Sequence, residues 1–221
     1  MQSLVSATKT GRSRDIKWSQ KLCRHLSGKT WENTFFIYFM NFHFNLIAAA
    51  CEGMGIGAKG TLPWKLKSEM AFFTSMTTST KEPGKKNVVL MGRRTWECIP
   101  KKYKPLQNRI NIVLSSQFLD YANDAIVCRS IPHALETIET DPLKDQVERI
   151  WVIGGSSVYK AAMESPNCNK LYLTRIKKYF ECDTFFPSIP NDFILTQDSN
   201  IPQGVQEENG IEFVIEVYKR N

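Results

Sequence analysis

The chain has 221 residues, 42% hydrophobic and 23% charged, the balance of an ordinary globule with one sizeable core. No apolar run approaches the roughly 18–20 residues that a membrane helix needs. The formal charge of +7 is mostly N-terminal: residues 1–40 carry a net +5 and residues 41–221 a net +2, so composition offers no basic nucleic-acid surface on the globular part.

Residues 1–39 differ in texture from the remainder of the chain. MQSLVSATKTGRSRDIKWSQKLCRHLSGK is rich in Ser, Thr, Lys and Arg and poor in acids, the composition of a mitochondrial transit peptide. An upstream extension with no folded role fits equally well. Met40 directly precedes the first strand-like run, so a second start there stays open. The expected organisation is an N-terminal basic extension over 1–39 and one folded domain over 40–221.

From residue 44 the pattern becomes regular. FNLIAAAC (44–51) reads as a buried strand. GIGAKG (55–60) matches the dinucleotide fingerprint G-x-G-x-x-G literally. That motif must open a helix, and here Thr61, Leu62 and Pro63 follow. Proline disfavours helix at the residue before it, so a flexible glycine-rich loop over a site is expected instead, with a plain surface loop as the alternative. LPWKLKSEM (62–70) then leads into a helix over 65–78. Its single acid, Glu69, reads either as a first-turn charge favoured by the helix dipole or as a buried carboxylate facing a ligand.

VVLMGRRTW (88–96) runs from strand through glycine to Arg93, Arg94 and Thr95, which open a short helix near 93–98. A helix start offers free N–H groups to an anion, and arginine grips phosphate in a fork. A solvated arginine pair is the default for the motif alone. RINIVLSS (109–116) and DAIVC (124–128) are further strands. Arg109, at the start of the first, suits either a bidentate carboxylate partner or water. After a helix over 131–139, WVIGGSSVY (151–159) repeats the strand–glycine–helix device, with Gly154 and Gly155 ahead of Ser156 and Ser157. KLYLTRI (170–176), DTFFP (183–187) and FVIEVYKR (213–220) complete eight runs. Strands alternating with helices predict a single α/β domain with a mostly parallel sheet and an antiparallel C-terminal edge. Six cysteines at 23, 51, 98, 128, 168 and 182 form no CxxC pair and read as reduced thiols. Three histidines have no metal-ligand spacing, and no metal is expected.

Taken together, MGIGAKGTLPW (54–64), SEMAFF (68–73), VVLMGRRTWECIP (88–100), PLQNRINIVLS (105–115), WVIGGSSVYKAAM (151–163), LTRI (173–176), DTFFP (183–187) and EVYKR (216–220) make residues 41–221 resemble dihydrofolate reductase, most closely its animal form. The resemblance implies an eight-stranded, mostly parallel twisted sheet flanked by helices, with an antiparallel C-terminal strand. It implies that NADPH donates hydride to 7,8-dihydrofolate to give tetrahydrofolate, in support of one-carbon metabolism and thymidylate and purine synthesis. It further implies a cytoplasmic monomer that is an antifolate target, with no membrane and no obligatory nucleic-acid partner. Binding of its own mRNA stays open as a side activity, and a mitochondrial address stays open if 1–39 is a transit peptide.

The resemblance also carries roles onto matching positions. Glu69 would face the pterin, oriented by Thr174. Trp64 would hold a bridging water, and Leu62 would belong to a lid over the nicotinamide. Ile47, Ala49, Met70, Phe73, Ile99 and Leu106 would line the pterin and benzoyl pocket, and Arg109 would take the α-carboxylate of the glutamate tail. Ala49, Ile56, Gly57, Ile153 and Tyr159 would lie by the nicotinamide. Arg93, Arg94, Thr95, Gly154, Gly155, Ser156 and Ser157 would hold the phosphates. Ser115, Ser116 and Arg129 would lie near the adenosine 2′-phosphate. The chain departs from vertebrate forms at Ser116, where they usually carry arginine, and at Met70, where they carry phenylalanine. It also has one residue fewer between the tryptophan and the acid. Two rivals are a riboflavin-pathway reductase of the same fold and a non-enzymatic binding protein on that fold. The set SEMAFF, Arg109 and Thr174 argues against the first, and the presence of Glu69 against the second.

Overall fold

The computed structural model describes residues 42–117, 121 and 124–221. The expected extension over 1–39 and Met40 lie outside the described residues.

In chain order the elements are β1 (Phe44–Glu52), β2 (Gly55–Gly57), α1 (Lys67–Thr78), β3 (Lys86–Gly92), α2 (Arg93–Cys98), a 3-10 turn (Lys101–Tyr103), β4 (Arg109–Leu114), β5 (Ile126–Cys128), α3 (Ile131–Ile138), α4 (Leu143–Gln146), β6 (Val147–Gly154), α5 (Ser156–Glu164), β7 (Cys168–Tyr179), β8 (Thr184–Phe185), β9 (Phe193–Thr196), β10 (Gln206–Glu208) and β11 (Ile211–Arg220). The main sheet runs β10-β11-β7-β1-β6-β3-β4-β5, with β9 also on β11. Pairings from β7 to β5 are parallel, and those made by β11 are antiparallel, as the sequence predicts. One run is placed differently: DTFFP does not join the main sheet. Thr184 and Phe185 pair with Gly55–Gly57 in a separate two-stranded ribbon. The eighth position along that order goes to β10, and β9 makes a ninth strand on β11; both are too short to register as strands in the sequence.

The continuous apolar runs follow from a sheet covered on both faces, since successive strand residues point to opposite sides. Leu46, Leu90, Ile112, Ile150 and Val152 pack with Leu135, Ile138, Ala162 and Met163 of α3 and α5. Ile47, Val89, Met91, Val113 and Trp151 pack on the other side with Trp96 of α2 and with Phe72, Phe73 and Met76 of α1.

The central strands part at their carboxyl ends. Strands β1 and β6 pair from Phe44 to Leu46, while β1 stays paired with β7 well beyond. One residue past the last β1–β6 pair, the Ile47 carbonyl accepts a hydrogen bond from Tyr159 Oη at 2.9 Å. This break in the sheet is where open α/β sheets take ligands.

Candidate active site

A cleft of about 1580 Å³ opens at that break. Its walls are the ends of β1 and β6, the starts of α2 and α5, the inner face of α1, and the segment from Ile56 to Leu62. Most of the residues singled out in the sequence come together here: Ile47, Ala49, Ile56, Gly57, Leu62, Glu69, Met70, Phe73, Arg93, Arg94, Thr95, Ile99, Leu106, Arg109, Ser115, Ser116, Ile153, Gly154, Gly155, Ser156, Ser157 and Tyr159 all line it.

Glu69 is a cleft residue because of its phase on α1. Glu69, Phe73 and Thr77 are four residues apart in turn and so share one face; Glu69 and Thr77 are buried and Phe73 partly so. Burial pushes the Glu69 carboxyl up to about 7, with the hydrogen bond from Thr174 pulling the other way. Desolvation therefore outweighs the one bond that favours the anion. Thr174 is itself buried on β7, behind the cleft wall rather than on it.

This shift has a sign for stability. Between pH 4.5 and 7 the unfolded chain ionises Glu69 while the fold keeps it neutral, so stability falls as pH rises through that window. Above pH 7 the full cost of about 3 kcal/mol is present. Glu69→Gln, which keeps the shape and cannot ionise, is expected to be more stable than the parent at pH 8 and nearly equal to it at pH 4.5. Urea unfolding at the two pH values measures this. An equal difference at both would show that the carboxyl is not held neutral.

The start of α1 has a feature that the sequence concealed. Leu66 at its N-cap gives no side-chain bond. Glu208 of β10 supplies it from 141 residues away: its carboxylate accepts the Lys67 N–H and the Ser68 N–H at 2.8 Å each, and the Ser68 hydroxyl at 2.5 Å. An acid there satisfies free helix N–H groups and suits the helix dipole.

Arg109 is half-buried, and desolvation lowers its pKa. It donates to the Thr77 hydroxyl at 2.8 Å and to the Gln107 carbonyl at 3.0 Å. It has no carboxylate partner among the described residues. A guanidinium thus oriented and unpaired at a cleft wall fits an incoming carboxylate. Next to it, Asn111 clamps the Leu106 backbone by two bonds, of 3.1 and 3.0 Å.

Both predicted anion-holding turns are formed. Gly92 caps α2 and Gly155 caps α5, neither with a side-chain bond to the helix, so the first N–H groups face the cleft unspent. Gly154 has φ +119° and lies against Tyr159, whose ring a Cβ would meet at 3.2 Å. Only glycine fits both demands. At Gly155 a Cβ would lie 3.2 Å from Thr95 Oγ1, so the two turns are in contact. Arg94 is exposed at the cleft, whereas Arg93 is engaged with Glu97 at 2.8 Å. The fit to a ligand with several phosphates rests on these two uncapped, adjoining turns.

The GIGAKG segment does not open a helix, as Pro63 foretells. It forms β2 and then a tight turn, closed by Ala58 and Thr61 through two bonds of 2.9 Å. Lys59 N donates to Asp183 at 2.7 Å. The loop expected from its glycines is thus an ordered turn with Leu62, 44% exposed, beside the cleft.

Besides Thr174, two predicted residues lie off the cleft wall. Trp64 is buried against Phe180, off the cleft wall, and its Nε1 has no partner among the described residues. Arg129 does not line the cleft. It follows β5, one strand outward from β4, whose end at Ser115 and Ser116 forms the wall; its backbone N–H bonds His133 at 3.1 Å. Lys65, Thr74, Gln107 and Lys160 line the cleft without having been singled out. Isolated polar residues carry no sequence signal.

This is the build of an α/β enzyme whose cleft crosses the carboxyl ends of its strands. The family model for dihydrofolate reductase matches residues 43–220. A dihydrofolate reductase from Heliothis virescens is 51% identical over 181 residues, covering 80% of this chain and 96% of that protein. One from Sus scrofa is 46% identical, covering 80% and 97%. The solved Schistosoma mansoni dihydrofolate reductase superposes with a TM-score of 0.72 at 36% identity, covering 81% of this chain and 99% of that one. The chain belongs to the dihydrofolate reductase family.

Proposed function

We propose that the protein reduces 7,8-dihydrofolate to tetrahydrofolate with NADPH as the hydride donor. The observation that carries this reading is the buried acid, neutral up to about pH 7, in one cleft with an unpaired arginine and two uncapped helix starts. Arg94, Thr95, Gly155, Ser156 and Ser157 would hold NADPH, which would supply the hydride. Arg93 contributes less charge because Glu97 shares it.

The chain's own residues do the rest. Glu69 accepts from the amino and ring N–H edge of the pterin when ionised, and in its neutral form keeps a proton available. Thr174 fixes the rotamer of that carboxyl. Trp64 holds a water through its unpartnered indole N–H, and the proton reaches the pterin through ordered water rather than from Glu69 directly. Phe73, Ile99 and Leu106 enclose the ring and benzoyl group, and Arg109 holds the glutamate carboxylate. The Ile56–Leu62 wall keeps water from the hydride path.

Preference for NADPH over NADH falls to Arg94, Ser115 and Ser116, with Arg129 contributing charge from outside the wall. The protein acts as a monomer in the cytoplasm and supplies one-carbon metabolism. Among the described residues no helix is long and apolar enough to cross a membrane.

The test is NADPH oxidation by the purified full chain. It should require dihydrofolate, run far slower with NADH and stop with a methotrexate-type inhibitor. Oxidation that proceeds on an aminouracil ribitol phosphate and not on dihydrofolate would reject the assignment.

A further inference from the structure

We propose that Cys51 and Cys182 form a reversible disulfide site, closed by a small disulfide oxidant such as oxidised glutathione, at the base of the ribbon that carries one wall of the cleft. Their sulfurs are 3.8 Å apart although 131 residues separate them in the chain. Cys51 is buried near the end of β1, and Cys182 is half-buried just before β8. The β1–β7 register shifts between Ala50 and Glu52, and a bulge of this kind re-aims the side chain within it. Cys51 Sγ accordingly lies 3.9 Å from the Phe180 carbonyl and beside Cys182.

Gly55 completes the arrangement. A Cβ on it would lie 2.5 Å from Cys182 Sγ and 2.9 Å from Cys51 Sγ. The first strand residue of the glycine-rich segment is thus seated directly against both thiols. Metal binding does not explain the pair, because no group of three or more ligating side chains occurs among the described residues. A dithiol in contact, with one member reachable from solvent, is suited to thiol–disulfide exchange.

The exchange balances in two steps. Cys182, as its thiolate, attacks one sulfur of oxidised glutathione, and the first glutathione leaves. Cys51 then gives up its proton and attacks Cys182 Sγ; the protein disulfide forms and the second glutathione leaves. Two protein thiols are oxidised, one external disulfide is reduced, and the two protons end on the two glutathiones. Burial raises the Cys182 thiol pKa, and neighbouring Cys51 adds to this, so closure is faster in mildly alkaline buffer. The bond would join the end of β1 to the chain entering β8. Both strands of the ribbon would then be fastened at one point, below the turn that reaches Leu62.

The experiment incubates the full chain with oxidised glutathione at mildly alkaline pH, alkylates the remaining thiols and maps peptides by mass spectrometry. The expected product has lost two alkylatable thiols, joins the peptides containing Cys51 and Cys182, and returns to the dithiol with dithiothreitol. Cys98→Ser should close like the parent, because the exposed Cys98 thiol takes no part. Cys51→Ser should stall with one glutathione on Cys182. The proposal is overturned if the parent stalls in the same way, or if Cys51 and Cys182 are both alkylated after the oxidant.

Discussion

Glu69→Ala is expected to lower turnover on dihydrofolate near neutral pH by about 10²–10⁴-fold, the range for removing a positioned acid–base group. Affinity for NADPH should stay nearly unchanged, because the turns proposed to hold its phosphates lie on other elements. Pre-steady-state hydride transfer and a fluorescence titration of the cofactor separate the two effects. The parent carries a second signature. Its carboxyl is held near 7 by burial, so the protonated fraction, and with it the rate of reduction, should fall as pH rises through that value. Glu69→Gln should lose this inflection along with the activity. A variant without the carboxyl that still turns over at the parental rate would remove Glu69 from the mechanism.

Arg109→Leu is expected to raise the KM for dihydrofolate by about 10–100-fold, the worth of one or more charge-assisted hydrogen bonds, and to change kcat much less. The reason is position: Arg109 stands at the start of β4 and reaches α1 at Thr77, about two helical turns beyond the acid. An interaction made equally before and during the reaction appears in KM alone. Arg109→Lys should recover only part of the loss, since a lysine cannot reproduce the fork that also bonds Thr77 and Gln107. A large fall in kcat at unchanged KM would refute a substrate-anchoring role. A pteridine lacking the glutamate tail provides the control, because its KM should not respond to either variant.

The features legible in the sequence are those written in neighbouring residues. Strand–glycine–helix turns at 92–95 and 154–157 depend on local spacing, and both occur where the motif places them. The rejection of a dinucleotide helix after GIGAKG needed only Pro63. The buried acid was half-legible: its phase relative to Phe73 is local, but its burial depends on strands far away. Contacts across the chain were not legible. Nothing near Leu66 announces that Glu208 will cap α1. Nothing in DTFFP says that it will leave the sheet to pair with β2. That Arg129 stands off the cleft wall was not legible either, because it depends on how many strands separate β5 from the break, a matter of sheet order.

The Glu208 clamp has a consequence for how the enzyme is made. The acid's helix leaves the ribosome about 140 residues before the carboxylate that secures its first turn. Thr174, which hydrogen-bonds the acid, sits in β7, and β7 is flanked by β11. A nascent chain lacking its last two strands would contain every residue of the cleft wall and yet leave the helix start unanchored and the orienting strand uncovered on one side. Catalytic competence therefore waits on β10 and β11 reaching their places against α1 and β7. Partly made chains have little means of binding the substrate productively before the fold is closed.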